Sequence, residues 1–261
     1  MPRAVATFVL APLVALAACA RDEAAATDGR APGLTAGVGR GRYEVVDVGN
    51  GGAVIGTVRL AGDAPPDTTI APTTDPGVCG DRIVRPVLAS DGVGSGLGEA
   101  VVWLADARRG KALPLERRYE LRNARCDLEP RVQAVVAGGT INVRSADAAV
   151  HRNRFRRPGA GRTLALVQLN DEGQVVPDEQ VLAAPGAVEV TCDQHPWTRA
   201  WIAAFDHPYF AVTGRDGRFR IDGVPPGEYR LRVWHPRVGV REERVRVTPG
   251  GEERVEVGLT P

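Results

Sequence analysis

Residues 188–202 predict a β-strand, a tight loop and a second β-strand. Two valines alternate with polar neighbours and lead directly into Cys192, which is the pattern of a strand buried on one face. His195 follows three residues later, and Pro196 prevents the loop from continuing as a helix. The chain therefore offers a thiolate and an imidazole from one short loop at the end of a strand.

A second imidazole comes from His151, which closes another strand-like run, residues 140–144. Two imidazoles and one thiolate on a β-scaffold form the trigonal part of a blue-copper electron-transfer site. Zinc would require a fourth protein ligand or a bound water. The residue types therefore favour copper over zinc as the ion held by His151, Cys192 and His195.

The loop from Cys192 to Trp197 resembles that of the cupredoxins, small copper proteins of the plastocyanin and amicyanin type. In that family a first histidine follows one strand, and a Cys-x-x-His-x-x-Met loop lies near the end of the domain. The resemblance implies that His151, Cys192 and His195 are the ligands of one type-1-like copper site.

The loop departs from the cupredoxin pattern at the axial ligand. Thr198 occupies the position of the usual methionine, and the single methionine of the chain is Met1. A hydroxyl is a poorer ligand than a thioether, so Thr198 would be at most a weak axial ligand and the reduction potential would be altered. Two interpretations remain: the site works with three ligands and a weak oxygen or water, or the loop is kept only as a scaffold.

Composition predicts an all-β protein. Gly (31) and Pro (20) are abundant and long helix-period runs are missing, which indicates many turns between short strands. The 33 basic and 32 acidic residues give a net charge of +1, so no nucleic-acid partner is expected. No catalytic triad, phosphate loop or carboxylate pair at an informative spacing is present, so we expect no enzyme.

The C-terminal part resembles carboxypeptidase regulatory-like domains, which are transthyretin-like β-sandwiches. The resemblance rests on Thr213, Gly217, Phe219 and the Pro-Pro-Gly-x-Tyr run over 225–229. Strand-like runs near residues 54–60 and 100–104 resemble the opening strands of the same domain.

The two resemblances together predict an insertion. Residues 50–108 and 207–261 would form the carboxypeptidase-regulatory-like sandwich, and residues 109–206 a cupredoxin-like Greek-key sandwich placed between its strands. Within the first part, residues 63–96 are rich in Pro, Gly and Asp and predict a long surface excursion.

The N-terminus resembles a bacterial lipoprotein signal. An apolar stretch too short to span a bilayer ends in Leu-Ala-Ala before Cys19. Residues 1–18 would be removed, Cys19 would carry the lipid, and residues 19–49 would be a flexible tether. The lipid would anchor the protein to a membrane of the cell envelope, on its periplasmic or extracellular face. The alternative is an ordinary cleaved signal peptide with an incidental cysteine.

Four cysteines are present. With Cys19 assigned to lipid and Cys192 to metal, Cys79 and Cys126 remain, and an oxidising compartment favours a disulfide between them. Pairing of Cys126 with Cys192 stays open as the alternative, and it would exclude the copper site.

Two further groups have a functional and a structural interpretation. His207 and His235 could form a second metal site, although structural roles are the simpler assignment. The arginines at positions 152, 154, 156 and 157 could steer an acidic redox partner, although a solvated face is simpler.

Two functions of different classes follow. The first is an envelope-anchored, copper-binding, cupredoxin-like lipoprotein in electron transfer or copper handling, the latter including a redox-inactive carrier. The second is a structural or interaction β-sandwich lipoprotein with a degenerate metal site.

Overall fold

A computed structural model describes residues 1, 33–34, 42–64, 66–86, 88, 95–159 and 162–260. The signal sequence predicted over residues 1–18 lies outside the described residues except for Met1, as do Cys19 and most of the tether predicted over 19–49. No helix in the described ranges is long and apolar enough to cross a membrane.

The regular elements of these ranges are β-strands and one short helix, which confirms the all-β prediction. In chain order they are β1 (Glu44–Val45), β2 (Gly52–Leu60), β3 (Thr68–Ile70), α1 (Pro76–Cys79), β4 (Ile83–Arg85), β5 (Val101–Leu104), β6 (Arg109–Gly110), β7 (Arg118–Ala124), β8 (Asp127–Glu129), β9 (Val132–Val136), β10 (Thr140–Ser145), β11 (His151–Arg156), β12 (Thr163–Leu169), β13 (Val175–Asp178), β14 (Gly186–Cys192), β15 (Arg199–Phe205), β16 (Phe210–Val212), β17 (Arg218–Val224), β18 (Gly227–His235), β19 (Gly239–Val247) and β20 (Glu252–Leu259).

The strands from the two ends of the chain form one sandwich, here called the outer sandwich. Its sheets have the strand orders β17-β2-β20 and β16-β5-β18-β19. Side chains from both sheets meet in one buried cluster, since successive residues of a strand point to opposite faces. Its members include Val54, Val58, Val102, Leu104, Phe219, Ile221, Leu231, Val233, Val245 and Val257.

A glycine closes the turn that precedes β17. Gly217 has a φ of 78°, and a Cβ at this position would collide with the carbonyl oxygen of Val58. Glycine adopts this conformation without steric cost, and its carbonyl accepts the N–H of Val58. The Asp-Gly turn therefore joins β17 to β2 at a close approach.

The strands from residue 118 to residue 205 form a second sandwich, here called the inner sandwich. Its sheets have the strand orders β13-β10-β7-β8 and β12-β11-β14-β15-β9. The core between them includes Leu121, Leu128, Ile141, Val143, Phe155, Leu169, Val188, Val190 and Ile202. The domain boundaries at residues 109 and 206 stay a prediction.

The two sandwiches pack against each other through a third buried cluster. Trp103 of β5 and Trp234 of β18 meet Trp201 and Phe205 of β15. The rings of Trp201 and Trp234 make an edge contact with centroids 5.7 Å apart. β15 is buried along almost its whole length, which agrees with its nearly all-apolar sequence, and it pairs with β14 up to Thr191, next to Cys192.

Candidate metal centre

Two neighbouring antiparallel strands carry the first two predicted ligands. Cys192 is the last residue of β14, and His151 is the first residue of β11. These strands pair with Asn153 opposite Cys192, which brings both ligands to the same end of the five-stranded sheet. The expectation that His151 closes the strand over 140–144 is wrong, because β10 lies in the other sheet and His151 opens a strand of its own.

The loop after β14 folds back so that His195 lies beside Cys192. The backbone N–H and the hydroxyl of Thr198 both donate to the carbonyl of His195, at 2.9 and 2.8 Å, and so close a turn. The N–H of Asp193 donates to the carbonyl of Arg152 at 2.9 Å and fixes the loop to β11. As a result Nδ1 of His195 lies 3.5 Å from Sγ of Cys192.

The structure brings the three predicted ligands into one buried cluster. One donor atom from each of His151, Cys192 and His195 lies within 4.8 Å of the others. Their exposed fractions are 1%, 2% and 0%. Metal–nitrogen bonds of about 2.0 Å and metal–thiolate bonds of about 2.3 Å span roughly 3.5 Å between donor atoms, so one ion fits between them.

His151 gives a further sign that a partner belongs in this site. Both ring nitrogens are buried and neither makes a hydrogen bond of good geometry. Buried polar groups nearly always have a partner, because leaving one unpaired costs free energy. The neighbouring carboxylate of Asp147 lies 3.2 Å from Nε2 of His151, so the orphaned atom that faces the cluster is Nδ1.

The site stabilises a thiolate. Burial by itself raises the pKa of the Cys192 thiol, but His151, His195 and the N–H of Arg152, 3.5 Å from Sγ, outweigh it and lower the pKa to about 6. Burial by itself lowers the pKa of His151, but Asp147 and the Cys192 thiolate outweigh it and raise the pKa to about 9. The metal-free site therefore favours a thiolate at Cys192 and a protonated imidazole at His151.

Each imidazole faces a carboxylate on its outer edge, and sequence reasoning missed both carboxylates. Asp147 Oδ2 lies 3.2 Å from Nε2 of His151, and Asp75 Oδ2 lies 3.2 Å from Nε2 of His195. Burial raises the pKa of Asp147, but His151 and the N–H groups of Cys126 and Arg125 hold the pKa below its usual range. Carboxylates in this position orient metal-binding histidines and raise their basicity.

Asn153 is a third residue that the sequence did not single out. It is fully buried, it lies opposite Cys192, and neither atom of its amide has a hydrogen-bond partner. Its position two residues after His151 places both side chains on the inward face of β11. This alternation was the only signal that could have pointed to it.

The cysteines pair as expected. Cys79 and Cys126 form a disulfide with a Cα–Cα distance of 5.3 Å, and Cys192 is free and buried. The alternative pairing of Cys126 with Cys192 is therefore wrong. In the described ranges Cys79, Cys126 and His195 form a second cluster of potential ligand atoms, but its sulfurs are bonded to each other and offer no thiolate.

His207 and His235 act as neutral structural side chains. Nδ1 of His207 accepts the N–H of Tyr209 at 3.1 Å, and Nδ1 of His235 accepts the N–H of Arg237 at 3.2 Å. Burial lowers the pKa of His207 to about 4 and that of His235 to about 3. Neither belongs to a three-ligand cluster among the described residues.

The basic run beside His151 has partners within the chain. Arg154 binds the carboxylate of Asp193 at 2.6 Å, and Arg152 lies 3.7 Å from it. Arg156 binds Glu189 at 2.8 Å. Much of the positive charge is therefore offset locally, and the loop that carries His195 is tied to β11 by ion pairs.

One family model matches the C-terminal part of the chain. The family model described as the carboxypeptidase regulatory-like domain matches residues 170–260. The matched segment begins within the inner sandwich and continues through β16 to β20 of the outer sandwich. This region is similar to carboxypeptidase regulatory-like domains. No curated protein matches the chain.

Several solved structures are similar to part of the chain. They include a copper-containing nitrite reductase from Thermus scotoductus, with 15% identity over 37% of this chain and 24% of that chain and a TM-score of 0.31. A purple cupredoxin from Nitrosopumilus maritimus has 14% identity over 33% of this chain and 98% of its own, with a TM-score of 0.28. A pseudoazurin from Sinorhizobium meliloti has 18% identity over 33% and 72%, with a TM-score of 0.25. The chain spans about a quarter of the length of the nitrite reductase.

Proposed function

We propose that the chain binds one copper ion between His151, Cys192 and His195 and acts in electron transfer or copper handling. The observation that carries this proposal is the convergence of three buried donor atoms, which lie within 4.8 Å of one another, with no hydrogen bond of good geometry at either ring nitrogen of His151. A thiolate with two imidazoles is a ligand set that suits copper. In the part of the chain that the structure describes, no fourth histidine, cysteine or carboxylate joins this cluster, which disfavours a closed structural zinc site.

The protein residues would act mainly by holding a fixed geometry. When bound, copper would supply a one-electron change of oxidation state. Cys192 would donate a thiolate whose charge is supported by the N–H of Arg152. His151 and His195 are held by β11 and by the Thr198 turn, and burial keeps water away from all three ligands. Rigid ligands change little between the two oxidation states, which favours fast electron exchange.

The copper titration is the direct test. The purified full-length protein is titrated with Cu(II) and followed by visible absorption and electron paramagnetic resonance. We expect one copper per chain and an intense thiolate-to-copper band that is lost in Cys192→Ser. A reversible voltammetric wave would assign electron transfer, and its absence in a copper-loaded protein would assign a redox-inactive carrier.

A protein without the band would contradict the copper proposal. If wild type and Cys192→Ser took up equal amounts of copper with the same weak spectrum, the loop would be a scaffold only. The chain would then be a structural or interaction β-sandwich with a degenerate metal site. Thr198 in place of the axial methionine is the feature that favours this second function.

The proposed setting is the cell envelope. Cys19 would carry the lipid that anchors the mature chain to a membrane, on its periplasmic or extracellular side, and a redox protein would be its partner. No catalytic activity and no nucleic-acid partner are proposed. The intact mass of protein extracted from membranes should include the lipid, and Cys19→Ser should move the protein to the soluble fraction.

A further inference from the structure

Asp75 approaches the metal centre from outside the inner sandwich. It lies between β3 and β4, on the excursion that precedes β5 of the outer sandwich. Its Oδ2 lies 3.2 Å from Nε2 of His195. The hydroxyl of the preceding residue, Thr74, donates to the carbonyl of Gln194 at 2.9 Å. Two consecutive residues of the excursion therefore contact two consecutive residues of the ligand loop.

The disulfide anchors this contact. The helix α1 follows Asp75 and ends at Cys79, which is bonded to Cys126 in the turn between β7 and β8. The sulfurs of the disulfide and a ring nitrogen of His195 lie within 4.8 Å of one another. The carbonyl of Asp75 accepts the N–H of Cys79 at 2.8 Å, so the carboxylate and the disulfide belong to one short turn.

The backbone of Asp75 also indicates a specific role. Its φ of 49° and ψ of 46° are left-handed, a conformation that non-glycine residues adopt rarely. Such a conformation persists where the surroundings hold it, and it is frequent at functional sites. Asp75 stands at the start of α1 but makes no side-chain capping bond, so its carboxylate is directed to His195 instead.

Residues 74–79, here called the cover segment, contact His195 and its loop from outside the inner sandwich through Asp75 and Thr74. The three ligands are nearly fully buried, whereas the side chain of Asp75 is 45% exposed. An ion that enters or leaves past the Nε2 edge of His195 would therefore meet Asp75 and the turn behind it.

We propose that Asp75 is a positioning residue of the metal centre and that the cover segment, held by the Cys79–Cys126 disulfide, limits the rate at which the metal exchanges. This inference rests on the proposed function and extends it to a part of the chain outside the ligand loop. The Asp75 carboxylate accepts a hydrogen bond from Nε2–H of His195, which leaves the lone pair of Nδ1 facing Cys192 as the metal-binding atom.

The disulfide links the two chain segments whose carboxylates face His151 and His195. The N–H of Cys126 donates to Asp147 at 2.8 Å, and Asp147 faces His151. Cys79 is in the turn of Asp75, which faces His195. One covalent bond therefore holds both carboxylates in place, and loss of the disulfide should loosen both ligands.

The test compares metal release from the full-length, copper-loaded wild type, Asp75→Ala, Asp75→Asn and the control Asp81→Asn, which changes an exposed acid near the cover segment. Excess chelator removes the metal, and the loss of the visible band gives the rate. We expect Asp75→Ala to release copper about tenfold faster, as for other outer partners of metal-binding histidines. Asp75→Asn keeps an acceptor and tolerates the same backbone, so it should stay within about threefold of wild type. Asp81→Asn should not differ from wild type.

A spectroscopic measurement distinguishes a residue that orients His195 from one that only blocks access to the metal. Removing the acceptor should change the copper hyperfine splitting in Asp75→Ala, because the basicity and orientation of His195 change. In the metal-free protein, alkylation of Cys192, located by peptide mass, should be faster in Asp75→Ala than in Asp81→Asn. Equal release rates, spectra and alkylation rates in wild type and Asp75→Ala would overturn the inference. Absence of the copper band from wild type itself would instead overturn the proposed function.

Discussion

Sγ of Cys192 lies 3.5 Å from Nδ1 of His195 and accepts the backbone N–H of Arg152 at the same distance. With the imidazole of His151 beside it, the thiol is surrounded by groups that favour its charged form. These groups outweigh the effect of burial, so the pKa of Cys192 is about 6 rather than its usual value.

The first prediction concerns the reactivity of Cys192 in the metal-free protein. Only the thiolate is alkylated, so the alkylation rate at Cys192 should rise with pH to a plateau with a midpoint near pH 6. The rate is corrected for the limited accessibility of the buried sulfur. In denatured protein the midpoint should return to about 8.5. His151→Gln removes a neighbouring cation and should move the native midpoint upward. A native midpoint equal to that of the denatured protein would contradict the thiolate assignment.

The second prediction concerns Thr198. Its hydroxyl donates to the carbonyl of His195, so it serves first to close the ligand turn. Thr198→Val keeps the shape and removes this bond, and the free energy of unfolding should fall by about 1 kcal/mol. The position of the thiolate-to-copper band should change little. A large shift of the band with unchanged stability would show instead that the hydroxyl is an axial ligand.

The third prediction concerns the buried amide of Asn153. Because its polar atoms have no partner, Asn153→Leu should raise the free energy of unfolding of the metal-free protein by about 1–3 kcal/mol. The same change removes the polar group opposite Cys192 and should alter the copper spectrum. Urea denaturation and visible absorption measure the two effects. A destabilised variant would mean that the amide is satisfied in solution.

The fourth prediction concerns the disulfide. Cys79 and Cys126 are 47 residues apart, and closing a loop of this length should stabilise the fold by about 4 kcal/mol through the unfolded chain. The double variant Cys79→Ser/Cys126→Ser should lose this amount in urea denaturation. Cys192→Ser leaves the disulfide intact and is the control for loss of a buried sulfur. An equal loss in the two variants would contradict the cross-link assignment.

The parts of the site that the sequence predicted are those that depend on local spacing. Cys192 and His195 lie on one short loop, so a strand before it and a turn within it suffice to bring them together. The disulfide followed from counting, because only Cys79 and Cys126 remained.

The parts that the sequence did not predict depend on long-range packing. Asp75 and His195 are 120 residues apart, and no periodicity relates an aspartate in a surface excursion to a histidine on another sandwich. Asp147 lies four residues before His151, but outside a helix this spacing predicts no contact. The strand of His151 was also misplaced, because alternation gives the face of a strand and not the sheet to which it belongs.

The last prediction concerns acid stability and uses His207. Nδ1 accepts the N–H of Tyr209, so the neutral ring carries its proton on Nε2, and a second proton would break this hydrogen bond. Burial, with the nearby charge of Arg108, lowers the pKa in the folded state to about 4, against about 6.5 in the unfolded chain. Between these values the unfolded state binds more protons, so stability should fall as the pH is lowered from 6.5 to 4.

The size of this effect is about 3 kcal/mol, because each pKa unit corresponds to about 1.4 kcal/mol. His207→Asn keeps an acceptor near the position of Nδ1 but cannot titrate in this range. Its free energy of unfolding, measured in urea from pH 7 to pH 4, should therefore depend less steeply on pH than that of wild type. His235 is buried in the same way, with a pKa of about 3. In the double variant His207→Asn/His235→Asn the free energy of unfolding should therefore depend even less on pH than in His207→Asn. Identical pH dependence in all three proteins would mean that neither imidazole is neutral in the fold.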